Sequence, residues 1–150
     1  MQDCVFCQIV GGASPASVFY QDDVVLGFRD ICPVNSGHAL IIPRVHAAYL
    51  ADLDEATGRH LWPLTQRTAA AIGESGVRWE GINLFLADGE AAFQEVFHVH
   101  MHVFPRHPGD AFRLVADWGA EPLRGELDRV AREIDQAFER LWQAQEMGPA

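Results

Sequence analysis

"FHVHMHVFPR", residues 97–106, sets histidine at 98, 100 and 102 between apolar residues and then runs into Val103, Phe104, Pro105 and Arg106. A period of two is the mark of a strand with unlike faces. In that reading His98, His100 and His102 share one face, and Val99, Met101 and Val103 supply the other. An apolar row of that kind needs a core beneath it, so a sheet is expected at the centre of the fold.

The flanking sequence supplies more strands. "WEGINLFLAD" (79–88) and "GHALIIP" (37–43) are apolar runs, while "VFYQ" (18–21) and "VVLGFRD" (24–30) flank Asp22 and Asp23 as a hairpin. "GGASP" (11–15) reads as a turn and "CPVNSG" as a loop. Leu61, Leu64, Ala69 and Ile72 approximate helical spacing between Asp54 and Ser75, with Asp54 or Thr57 as cap and with Gly58 and Pro63 as interruptions. Leu123, Leu127, Val130, Ile134, Phe138 and Leu141 form one face of an amphipathic helix over residues 121–145. Strands grouped apart from two helices indicate an α+β fold within a single domain, residues 1–150.

Three uses of the histidine row are open. It is the polar face of a half-exposed strand, a metal site, or a set of imidazoles that act as chemical groups themselves. The first needs a rare residue three times for no gain. A single metal shared by all three is difficult, because the outer α-carbons of an extended strand lie about 13 Å apart, against a zinc–nitrogen bond of about 2.0–2.1 Å. Imidazoles about 6.6 Å apart can instead span one phosphoryl group, one as nucleophile and another as donor to anionic oxygen. Phosphate chemistry is the leading class.

Composition narrows the partners. The formal charge is −10, and all 11 basic residues are arginine. Such a balance argues against a broad nucleic-acid or membrane surface, both of which need clustered positive charge. The start "MQDCVFCQIV" lacks the basic and apolar regions of a signal peptide, which indicates a cytoplasmic protein with its three cysteines as thiols or metal ligands.

With "HVHMHVF" stand "SGHALIIPRVH" (36–46), "FRDICP" (28–33) and "DGEAAFQEV" (88–96), in that kind and order across roughly residues 4–107. Together they resemble the histidine triad (HIT) family, in its bacterial form. The resemblance implies a homodimeric nucleotide-binding fold with about five antiparallel strands and two helices. It implies hydrolysis or transfer at the α-phosphate of an adenosine 5′-phosphoramidate, phosphoester or dinucleotide, through a nucleotidyl-histidine intermediate. His100 would be the nucleophile, His102 would hold phosphate oxygens, and His38 would orient the nucleophile and accept from its second nitrogen. Asp30 would take the ribose hydroxyls of a purine nucleotide such as AMP, and Phe6, Ile9, Phe28, Ile31 and Leu40 would wall the base. Gln94, Glu95 and Val96 would meet the phosphate through the backbone.

The chain departs from the family pattern in one segment. Ala87 replaces a common Asn or Gln, leaving Asp88 to supply that contact; Phe93 replaces a common Gly, and Glu95 a common Ser or Thr. A nucleotide sensor or scaffold with weak turnover is the alternative these changes suggest. "CVFC" (4–7) is a Cys-x-x-Cys pair, readable as a zinc half-site, a redox pair or two buried thiols. In the family's bacterial branch it joins a structural zinc site with residues here numbered His46 and His98, which would give Cys4, Cys7, His46 and His98 as ligands. A zinc-dependent hydrolase that uses the histidines directly is the third reading. Cys32 is expected to be a packed thiol, His60 and His107 surface residues, and Trp62, Trp79, Trp118 and Trp142 core, dimer or lid contacts.

Overall fold

The computed structural model describes residues 4–146; residues 1–3 and 147–150, the ends of the expected domain, lie outside the described residues. Up to Phe112 the chain forms one compact unit, and from Arg113 onward a second. The first unit holds a five-stranded antiparallel sheet in the order β1-β2-β3-β5-β4. Its strands are β1 (Val18–Gln21), β2 (Val25–Arg29), β3 (Ala39–Pro43), β4 (Gly81–Phe85) and β5 (Met101–Arg106). Two helices accompany it, α1 (Val5–Val10) and α2 (Glu55–Glu74). The α+β expectation holds, with α1 as an addition that the sequence did not announce.

Antiparallel pairing with period-two alternation assigns every central side chain to a face. Val25, Ala39, Ile41, Val99 and Val103 pack with Leu61, Leu64 and Ile72 of α2. Leu26, Phe28, Leu40 and Ile42 pack on the opposite face with Phe6 of α1. β3 is buried along its whole length, as an apolar run covered on both faces should be. Register then runs Phe28–Leu40–His102–Phe85 across four strands, which places His102 on the α1 face beside Phe28 and Leu40.

Local chemistry explains the turns. One carboxylate oxygen of Asp22 accepts the amides of Val24 and Val25, closing the β1–β2 hairpin. The other accepts from Tyr20 and, at 2.8 Å, from the His60 ring nitrogen. His60 is exposed, as expected, and also ties the hairpin to α2. Gly37 has φ +98°, in the left-handed region, and a Cβ there would lie 2.8 Å from Val77. That conformation is why glycine precedes His38.

α2 starts at Asp54, whose carboxylate accepts the Thr57 amide, and runs unbroken through Pro63. Trp62 and Pro63 are exposed, so the carbonyl left without an amide partner can be solvated. None of Trp62, Trp79, Trp118 and Trp142 is core: each is at least 43% exposed. In the second unit α3 (Arg124–Glu146) carries the expected apolar row, with Ile134 and Phe138 exposed and the Phe138 and Trp142 rings stacked at 5.9 Å. Among the described residues no helix is long and apolar enough to cross a membrane.

Candidate active site and metal cluster

β5 begins at Met101, so His98 and His100 lie in extended chain before it and not in the strand. Hydrogen bonds divert the segment: His98 donates its amide to Val96 and Val99 to Ala47. The alternation of faces survives, but the spacing contracts, and the His100 and His102 rings stand 4.8 Å apart. His98, His100 and His38 are buried, with His102 half-buried.

Each ring's tautomer follows from its partners, since an amide only donates and a carbonyl only accepts. His100 Nδ1 lies 2.7 Å from the His98 carbonyl, so Nδ1 carries the proton and Nε2 the free lone pair. The expected acceptor was His38 or its backbone; the carbonyl two residues back takes that place, because the chain bends at residues 96–98. His38 Nδ1 receives the Val34 amide at 3.2 Å. Its Nε2 therefore bears hydrogen and donates to His102 Nδ1 at 2.9 Å. Asp30 stands 3.5 Å from His38 Nδ1, a distance at which the amide's claim on that lone pair prevails. His102 is left with Nε2–H as a donor. His38 is thus bonded to His102, and not to His100 as expected.

Burial lowers the pKa of His38, His98, His100 and His102; neighbouring imidazoles add to it at His102, which falls to about 4. Asp30 opposes the shift at His38, His100 and His102 without reversing it. All four rings are neutral near pH 7, the state in which a nucleophilic lone pair exists.

A cavity of about 360 Å³ opens on this face. Of the expected residues, Phe6, Ile9, Phe28, Asp30, Ile31, Leu40, Glu95, Val96, His100 and His102 line it. The Asp30 carboxylate accepts the Cys32 amide at 2.7 Å, which fixes its direction. Gln94 does not line the cavity. It is buried, and its side chain holds the loop together by accepting from the Gly89 amide and donating to the Ala48 and Val96 carbonyls. Asp88 accepts the Leu50 amide and is likewise no lining residue, while Ala87 is buried. Val5, Ser14, Pro15, Cys32 and Phe93 line the cavity without having been singled out as ligand contacts; Cys32 is exposed and not packed. Only Phe93 had a signal in the sequence, as a departure from glycine.

The fourth histidine turns elsewhere. His98 Nε2 donates to the Pro43 carbonyl at 2.9 Å, leaving Nδ1 with a lone pair. That atom lies 3.5 Å from Cys4 Sγ, 3.6 Å from Cys7 Sγ and 3.3 Å from His46 Nδ1, and Cys7 Sγ is 3.3 Å from His46 Nδ1. Tetrahedral zinc, with bonds of about 2.0–2.3 Å, holds ligand atoms about 3.3–3.7 Å apart. The donor set fits that ion. Burial and the Cys4 thiol raise the Cys7 pKa, the condition a bound cation would reverse.

A family model described as "HIT domain" matches residues 12–109. Adenosine 5′-monophosphoramidase hnt1 of Schizosaccharomyces pombe is 35% identical over 82% of this chain and 88% of its own length. A HIT family protein of Bacillus anthracis superposes with a TM-score of 0.84 at 34% identity, covering 90% of this chain and 96% of that one. A zinc-bound histidine triad family protein of Mycobacterium smegmatis is 41% identical, with a TM-score of 0.71 and coverage of 91% and 98%. A fold that puts His100 and His102 on one cavity, with His38 bonded to His102, in a chain so matched along its length, makes this protein a member of the HIT family.

Proposed function

We propose that the protein is a nucleotide hydrolase or transferase that cleaves adenosine 5′-phosphoramidates, phosphoesters or dinucleotides at the α-phosphate, through an intermediate on His100. One observation carries the reading: the His98 carbonyl holds the Nδ1 proton of His100, so Nε2 presents its lone pair beside a cavity-lining donor, His102. His100 Nε2 attacks phosphorus, the bond to the leaving group breaks, and the leaving group takes a proton. Water then displaces His100 and releases AMP, so one difficult substitution becomes two easier ones.

His102 Nε2–H supports a phosphate oxygen, and His38 keeps that tautomer in place. The amides of Glu95 and Val96, which bond no acceptor among the described residues, add donors on the same wall. Asp30 takes the ribose hydroxyls, and Phe6, Ile9, Phe28, Ile31 and Leu40 cover a purine base.

Cys4, Cys7, His46 and His98 would hold a structural zinc, which when bound neutralises the thiolates and ties α1 to the segment bearing His100. The phosphoramidase relative from Schizosaccharomyces pombe and the zinc-bound relative from Mycobacterium smegmatis support these assignments. The same reading takes residues 1–150 as one HIT domain in a cytoplasmic homodimer that binds neither nucleic acid nor membrane. β4 is an edge strand with Leu84 and Phe85 exposed, a place for the second copy.

The test is AMP release from adenosine 5′-phosphoramidate by the wild type and by a folded His100→Ala variant. Release is expected to fall by about a thousandfold or more in the variant. AMP binding without release by either protein would favour the sensor reading that Phe93 and Glu95 suggest.

A further inference from the structure

Phe93 is the only non-glycine residue with positive φ among the described residues, at +68°. Its ring is 83% exposed, so no packing in the chain compensates the left-handed backbone. The conformation is imposed by neighbours. The Phe93 amide bonds the Glu90 carbonyl, the Gln94 amide bonds the Gly89 carbonyl, and the buried Gln94 side chain clamps Gly89, Ala48 and Val96. A strained, exposed phenyl ring held by a rigid loop at a cavity wall is an observation that points toward a ligand.

Glu95 stands two residues on, exposed and on the same wall, with no ion-pair partner among the described residues. The lining of the cavity contains Asp30 and Glu95 but no arginine, and the chain has no lysine. The nucleoside wall comes from α1, β2 and β3, through Phe6, Phe28, Asp30 and Leu40. With phosphorus at His100, the wall bearing Phe93 and Glu95 is left for the group that departs.

We infer that Phe93 and Glu95 form a leaving-group subsite that favours an amine carrying a second, positive charge over neutral and anionic leaving groups. The inference rests on the phosphoramidate reading above and deepens it. The P–N bond breaks with its electron pair going to nitrogen, which takes a proton from water at the cavity mouth; the second ammonium stays intact throughout. That ammonium meets the Glu95 carboxylate and the face of the Phe93 ring. A carboxylate, sulfate or further phosphate on the leaving group meets Glu95 and finds no lining cation. Selection is therefore by both attraction and repulsion.

The test compares three adenosine 5′-phosphoramidates of similar length, made from 1,4-diaminobutane, pentylamine and 4-aminobutanoate. In the full chain kcat/KM is expected to fall in that order, by about fivefold per step, as suits partly solvated charges. Glu95→Gln should shrink both ratios toward one, and Phe93→Ala should lower the ratio of the cationic to the neutral substrate. Equal kcat/KM for the three substrates in the wild type, or unchanged ratios in Glu95→Gln, overturns the subsite while the phosphoramidase reading stands. No AMP released from any of the three overturns both.

Discussion

Among the described residues, two clusters bring ligand atoms within 4.8 Å of one another: Cys4, Cys7, His46 and His98, and Asp30, His38 and His102. By residue type both suit a metal, yet their hydrogen bonds separate them. In the first, the Pro43 carbonyl takes the His98 proton, so lone pairs and thiols face one another with no hydrogen that satisfies them all. A cation resolves that. In the second, the Val34 amide fills one lone pair of His38, and the His38 proton fills that of His102. The chain is satisfied without an ion. Residue type nominates a metal site; the direction of its protons decides it.

The comparison can be broken most forcefully through zinc. Purified chain is expected to hold about one zinc, and Cys4→Ser/Cys7→Ser to lose it together with about 4 kcal/mol, the contribution of an ion at a thousand times its dissociation constant. Metal analysis with urea unfolding checks this; zinc retained by the double variant would mean that the other cluster binds it. His38→Ala should next lower kcat by about a hundredfold, because His102 loses its fixed tautomer, while zinc content stays the same. Lost zinc in that variant would merge the two clusters into one.

Gln94→Ala should cost about 1–3 kcal/mol by unpairing the Gly89 amide and two carbonyls, and should leave the zinc in place. The smallest effect is one of pH. The folded pKa of His102 lies at about 4, below its ordinary 6.5, so below pH 6.5 the unfolded chain binds a proton that the folded chain refuses. Stability is therefore complete above 6.5 and declines as pH falls toward 4. Unfolding free energies across that range should show a shallower slope in His102→Asn; an identical slope would mean that His102 is protonated in the fold.

Much of this was legible beforehand. Apolar runs, a hairpin and one period-two row marked all five strands, and of the two caps offered, Asp54 and Thr57, it is Asp54 that starts α2, which runs on through Pro63 because a proline on a solvated face does not break a helix whose other face is buried. What misled was local as well. His98 and His100 read as strand, although the amides of His98 and Val99 serve the carbonyls of Val96 and Ala47, and the His98 carbonyl serves the ring of His100. Gln94 read as a backbone contact to phosphate, but its backbone amide bonds the Gly89 carbonyl, and its buried side chain spends its own donors and acceptor on the loop that holds Phe93. α1 is six residues long, too short for periodicity to reveal.

By itself the sequence determined which residues of one run share a face, His98, His100 and His102 against Val99, Met101 and Val103, because alternation is a property of consecutive residues; that His102 meets Leu40 and Phe28 was decided by the register between strands. Only the tertiary structure decided what each imidazole does. A ring's proton goes to the nitrogen that finds an acceptor and leaves the one that meets a donor; here the Pro43 and His98 carbonyls accept and the Val34 amide donates, backbone groups set by the fold and silent in the side chains.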